Sequence, residues 1–166
     1  MYHTERLIIR HFELSDAEFI IQLLNDPLFV LYIGDRNVRT IDDAEDYLER
    51  ITQSYAQFGF GLSMVMLKDT QTPIGMCGIL KRDELELPDL GYALLTEYNG
   101  KGYGTEACNA VLKDGLENHD VREILAVTLP NNLASNQLLL KLGFTHQGTQ
   151  LLYGDNNNLY FQKLSK

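Results

Sequence analysis

The chain has 166 residues, 45% of them hydrophobic and 22% charged, with 14 basic against 23 acidic side chains and a formal net charge of -9. That length suits a single domain, residues 1–166, with a core large enough to need no staple. The negative balance argues against non-specific nucleic-acid binding and mildly favours a cationic substrate, and no apolar run approaches the ~20 residues of a membrane span.

The opening "MYHTERLIIRHF" lacks the cationic-then-apolar layout of a signal peptide, so a cytoplasmic protein is expected. Cys77 and Cys108 stand in apolar contexts without metal spacing and read as buried free thiols. His3, His11, His119 and His146 show no metal spacing either, and no metal is expected.

"ERLIIRHF" reads as a first strand. "SDAE" at Ser15 to Glu18 has capping-box spacing, and Phe19, Ile20, Leu23 and Leu24 give a helical stripe that stops at "NDP", Asn25 to Pro27. "TIDD" at Thr40 to Asp43 is a similar cap, followed by Ala44, Tyr47, Leu48, Ile51 and Tyr55 at helical spacing. The acidic cluster Asp42, Asp43, Glu45 and Asp46 has two readings, a solvated helix start suited to the dipole or an attractor for a cationic substrate.

Three strand-like runs come next, "GLSMVMLK", "PIGMCGILK" and "LPDLGYALL". After "YNGKGYGTEA", residues Ala107, Val111, Leu112 and Leu116 make a helical stripe. "EILAVTL" is a short apolar strand, and "NNLASNQLLLKLGF" is a helix closed by Gly143. "FTHQGTQLL" and "NLYFQKL" read as a closing pair of strands. The order β-α-α-β-β-β-α-β-α-β-β predicts a mixed α/β (α+β) fold. Its sheet is mostly antiparallel, with a central β-α-β crossover.

The glycine stretch carries the functional reading. A strand, a glycine-rich turn and a helix N-terminus together form an anion site, because the first helical N–H groups lack partners and the dipole adds positive charge. A P-loop is excluded because Lys101 is followed by Gly102 rather than Ser or Thr. A dinucleotide fingerprint is excluded because Gly100, Gly102 and Gly104 are spaced G-x-G-x-G and the next strand ends "VTLPNN" without an acidic residue. A plain glycine turn remains open.

"NGKGYGTEA" resembles the acyl-CoA pyrophosphate loop of the GNAT N-acetyltransferases, whose pattern is Q/R-x-x-G-x-G/A. Asn99 stands here where the pattern has Gln or Arg. The resemblance runs along the whole chain. "TERLIIRHFELSDAEFIIQLLNDP" is similar to the opening of the branch that acetylates ribosomal-protein N-termini. "PDLGYALLTEYNGKGYGTEA" is similar to its central strand, loop and helix, and "NNLASNQLLLKLGF" to its second cofactor segment.

The resemblance implies a twisted sheet with helices on both faces. It also implies that the strands "DLGYALL" and "EILAVTL" splay apart to admit the pantetheine arm of acetyl-CoA. It assigns main-chain cofactor contacts to Leu94, Leu95 and Thr96, and pyrophosphate contacts to the N–H groups of Asn99, Gly100, Lys101, Gly102, Tyr103, Gly104 and Thr105.

Family chemistry is direct attack of an amine on the thioester. A main-chain N–H near Leu94 is the implied oxyanion donor. Asp89 stands where the family often has a Glu base near the exposed end of the cleft. It reads either as a base acting through water or as a solvated strand-end carboxylate, and Glu86 is a weaker candidate. Many relatives protonate the thiolate with a Tyr in the second cofactor segment, but no Tyr lies between Asn132 and Phe144. Ser135 matches the Ser of the resembling branch, and reads equally as a helix-start serine. Asn132 caps its helix, touches pantetheine, or both. Lys141 reads as a phosphate contact or a solvated lysine. Tyr32 and Tyr92 are candidates to line the acceptor pocket, and Tyr92 reads equally as a packed strand residue.

An N-terminal α-amine has a pKa near 8 and a lysine-type amine one near 10.4, so deprotonation at pH 7 costs about 1.4 against about 4.6 kcal/mol. That difference favours a peptide or ribosomal-protein N-terminus as acceptor. A small amine (amino acid, polyamine or antibiotic) and a non-catalytic acyl-CoA sensor are the alternatives. A monomer or homodimer is expected.

Overall fold

The computed structural model describes residues 1–165. Eight strands make one sheet: β1 (Tyr2–His3), β2 (Leu7–His11), β3 (Leu62–Leu67), β4 (Pro73–Leu80), β5 (Asp89–Leu94), β6 (Glu123–Thr128), β7 (Thr145–Leu152) and β8 (Asp155–Lys163). Five α-helices accompany them: α1 (Ala17–Leu24), α2 (Pro27–Tyr32), α3 (Ile41–Phe58), α4 (Tyr103–His119) and α5 (Leu133–Lys141). The strand order is β1-β2-β3-β4-β5-β6-β8-β7. Every neighbouring pair is antiparallel except β5 and β6, which run parallel because α4 carries the chain back between them.

Side chains alternate across a strand, so each face of the sheet acquires its own core. Leu90 and Leu94 of β5 join Cys108, Val111, Leu112 and Leu139 on the face covered by α4 and α5. Ala93 and the following Leu95 join Leu23, Phe29, Leu48 and Ile51 on the face covered by α1, α2 and α3. Cys77 and Cys108 are free and buried, with Sγ atoms 3.7 Å apart where α4 lies on β4. No helix among the described residues is long and apolar enough to cross a membrane.

The expected cap at "TIDD" is present: the Thr40 hydroxyl accepts from the Asp43 N–H and the Asp43 carboxylate from the Thr40 N–H. The cap expected at Ser15 is displaced. A 3-10 turn, Leu14–Asp16, precedes α1, and the Asp16 carboxylate takes the Glu13 N–H and the Arg10 guanidinium. Two elements lie outside the sequence reading. β1 has only two residues, too few to show alternation. α2 starts at Pro27, which acts as a first-turn proline rather than a breaker, with Asp26 capping it through the Leu28 N–H at 3.1 Å.

Candidate functional site

β5 and β6 pair at one position only, Asp89 opposite Leu125, where the Leu125 N–H also reaches the Pro88 carbonyl at 2.9 Å. Beyond it the two strands separate. The Leu95 N–H donates to the Ile74 carbonyl at 2.8 Å, toward β4. Antiparallel ladders alternate their bonding direction, so the main-chain groups of Leu94 and Tyr92 point the other way, into the gap, where β6 offers them no ladder partner.

The gap opens toward the glycine loop. Gly100 and Gly102 adopt left-handed backbone, φ +76° and +85°. Only glycine takes that conformation cheaply, and it swings the chain into α4 without a side-chain cap. The N–H groups of Tyr103, Gly104 and Thr105 lie in the first turn and have no intrahelical acceptor. Among the described residues no protein acceptor takes the N–H groups of Gly100 through Thr105. Gly104 is buried, and a Cβ there would come within 3.1 Å of Leu138 Cδ1 and 3.4 Å of Tyr92 Cε2. These unpaired donors, the helix dipole and the missing side chains fit the diphosphate of an acyl-CoA.

Three of the expected main-chain donors are engaged within the protein. The Leu95 N–H is spent on Ile74, and its carbonyl accepts from the Tyr98 N–H at 2.9 Å. Thr96 gives its N–H and hydroxyl to Asp26, at 2.9 and 2.6 Å. The Asn99 N–H closes a turn onto the Thr96 carbonyl at 3.2 Å, and its amide leans on Leu95. Among the strand and turn residues first assigned, Leu94 keeps main-chain groups directed into the gap. Tyr92, not expected for this purpose, joins it.

The Tyr92 side chain points to the α4–α5 face. Its hydroxyl lies 2.8 Å from Ser135 Oγ, bridging β5 to α5. Burial pushes the Tyr92 phenol up to about 12, so it stays protonated. Asn132 caps α5, its Oδ1 accepting the Ser135 N–H at 3.3 Å. Ser135 and Leu138, and then Leu138 and Lys141, are neighbours about one turn apart, but the drift of each step carries Lys141 to the side of α5 opposite Asn132. Leu138 meets Gly104, and Lys141, one turn further along α5, is exposed. Tyr32 ends α2, whose Phe29 joins the core on the opposite side of the sheet from the Tyr92 ring.

Asp89 is neither a solvated strand end nor an exposed base. It is fully buried, and Arg82 forks onto it with Nε to Oδ1 at 3.0 Å and Nη2 to Oδ2 at 2.6 Å. Burial pushes the Asp89 carboxyl above its ordinary range, and the guanidinium opposes that rise. Glu86 is exposed in the turn between β4 and β5. Sequence reasoning missed Arg82 and Asp26. It also missed Asn136, whose Oδ1 accepts from Thr128 Oγ1 at 2.5 Å and Tyr160 Oη at 3.0 Å, bolting α5 to β6 and β8. The short "NDP" stretch was the available signal for Asp26; nothing local marks the other two.

Residues 6–145 match the family model described as an acetyltransferase (GNAT) domain. An uncharacterized N-acetyltransferase, p20 of Bacillus licheniformis, is 29% identical over 147 residues, which is 88% of this chain and 83% of that protein. The ribosomal-protein-S5-alanine acetyltransferase of Vibrio fischeri superposes with a TM-score of 0.77 at 20% identity, covering 98% of this chain and 95% of the other. An aminoglycoside acetyltransferase solved with coenzyme A superposes at 0.79 and 21% identity, covering 95% and 94%. At such identities the two superpositions speak to the fold.

Proposed function

Since this chain belongs to the GNAT acetyltransferase family and is an acetyl-CoA-dependent N-acetyltransferase, we propose that its acceptor is the α-amine of a peptide or protein N-terminus. The observation that carries this reading is the commitment of Asp89 to Arg82. With that carboxylate locked, the cleft favours an amine that loses its proton with little help. An α-amine needs about 1.4 kcal/mol at pH 7 and a lysine-type amine about 4.6. The net charge of -9 suits a basic acceptor protein.

Acetyl-CoA bound at the loop supplies an acetyl thioester that a neutral amine can attack. The N–H groups of Gly100 to Thr105 hold its diphosphate, and Lys141 adds charge from α5. The Leu94 N–H, facing the gap, serves as the oxyanion donor. Tyr92 and Ser135 act as a unit. Each hydroxyl carries one hydrogen, and one of the two is used between them. The other is left to point outward, and a paired hydroxyl donates more strongly than a lone one. The pair thereby stabilises a leaving sulfur that gains negative charge. It replaces the tyrosine that α5 lacks.

Tyr92→Phe and Ser135→Ala are each expected to lower kcat roughly 10- to 100-fold, the worth of a hydrogen bond to a charged group. The double variant should lose little more, because both singles break the same unit. Steady-state kinetics at saturating acetyl-CoA measures this, and fully multiplicative losses would separate the two residues.

The acceptor is tested by following CoA release with N-terminally free peptides, the same peptides with blocked N-termini and free lysines, polyamines and an aminoglycoside. Free-N-terminus peptides are expected to give kcat/KM at least about tenfold above the others, part of the cost difference above. A faster polyamine or aminoglycoside would overturn the N-terminal reading.

A further inference from the structure

Arg6 stands just before β2, 100 residues away in sequence from the helix it touches. Its Nη1 donates to the Lys101 carbonyl at 2.9 Å. The C=O and N–H of a trans peptide point in opposite directions. Holding the Lys101 carbonyl therefore turns the Gly102 N–H away from the guanidinium. The flanking left-handed glycines would otherwise let that peptide swing.

Arg6 also secures the first turn of α4. Its Nε donates to Glu106 Oε1 and its main-chain N–H to Glu106 Oε2, both at 2.8 Å. The Thr4 hydroxyl donates to the same Oε2 at 2.5 Å. The guanidinium carbon lies 4.3 Å from the centre of the Tyr103 ring. Thus Glu106, a carboxylate one turn from the proposed diphosphate cradle, has both oxygens occupied and its charge matched.

We propose that Arg6 is a positioning residue for the cofactor loop. It fixes the Lys101–Gly102 peptide with its N–H turned outward, and it neutralises Glu106, which would otherwise repel the diphosphate. This rests on the acetyl-CoA reading of the loop. Arg6 does not touch the reacting atoms, so its effect falls on donor binding rather than on turnover.

The test compares Arg6→Ala, Arg6→Lys, Glu106→Gln and the Arg6→Ala/Glu106→Gln pair, with acetyl-CoA affinity from calorimetry and with steady-state kinetics. Arg6→Ala is expected to raise both Kd and KM for acetyl-CoA about 10-fold or more, the scale of a lost charge-assisted bond. Its kcat at saturation should stay close to wild type. Glu106→Gln in that background should recover at least a threefold part of the loss. Arg6→Lys preserves the charge and guards against a folding failure; one ammonium cannot hold both partners as the fork does, so it should weaken binding several-fold. A Kd within twofold of wild type in Arg6→Ala, a loss in kcat rather than KM, or no recovery from Glu106→Gln would each overturn the proposal. Wild-type protein that fails to bind acetyl-CoA would instead sink the donor assignment itself.

Discussion

Gly104→Glu is expected to remove acetyl-CoA binding while leaving a folded protein. Gly104 occupies the first turn of α4, where an acidic residue suits the helix dipole. The atom nearest to a new Cβ is the tip of Leu138, at 3.1 Å, a flexible end that can yield. Because Gly104 is buried, a glutamate there also lowers the stability of the folded state, so each protein is compared with its own ligand-free form. The ligand is excluded, because the new carboxylate stands beside the N–H groups meant for a diphosphate. An uncompensated charge in such a place costs about 3–5 kcal/mol, a factor of roughly 10²–10³ or more in affinity.

A thermal melt reads this directly. Acetyl-CoA at about 100 times its Kd stabilises the wild type by about 2.7 kcal/mol, which is roughly 5–10 °C for a chain of this size. The variant should melt below the wild type without ligand and show no upshift with it. Gly104→Ala, which adds bulk without charge, should keep part of the upshift. An unchanged upshift in Gly104→Glu would mean that the diphosphate binds elsewhere.

Asp89→Ala is expected to destabilise the fold by about 3 kcal/mol, since it strands the Arg82 guanidinium, whose side chain is only 23% exposed. Replacing both partners with apolar residues, Asp89→Val with Arg82→Met, should restore most of that loss, because neither charge is then left unpaired. Chemical denaturation of the two singles and the double measures the coupling. The double variant also settles the role in catalysis. If Asp89 only positions the head of β5, the double variant keeps kcat within a few-fold. If Asp89 were the base, kcat would fall by about 10²–10⁴ even in a stable double variant.

The parts of the site that could be read in the sequence are those encoded by neighbours. The glycines at 100, 102 and 104 announce a turn followed by bare helix N–H groups, and the Thr40–Asp43 cap is a four-residue signal. Apolar runs bounded by turn residues made β2 through β8 legible, each having at least five residues. What escaped is held by distant partners. Asp26 reaches Thr96 across 70 residues and Arg6 reaches Glu106 across 100, and no local pattern encodes either meeting. Asp89 and Arg82 are only seven apart, but the turn that folds one onto the other is irregular, so the carboxylate read as a base acting through water or as a solvated strand end. Pro27 misled because a proline just after a helix reads as part of its stop, while here α1 ends at Leu24 and Pro27 opens α2.

The single pairing between β5 and β6 has a consequence for self-association. A strand with unpaired main-chain groups is ordinarily an invitation to another chain. This sheet has two outer margins and, within the gap, two inner ones. The outer margins are poor templates: β1 is two residues long, and β7 carries a register shift at His146/Gly148 and is mostly polar. The inner margins are closed at one end by Asp89 and Leu125 and flanked by α4 and α5, so only a short stretch of each is open to another strand. The chain can thus keep a row of free backbone donors in the middle of its sheet without offering a long edge for aggregation.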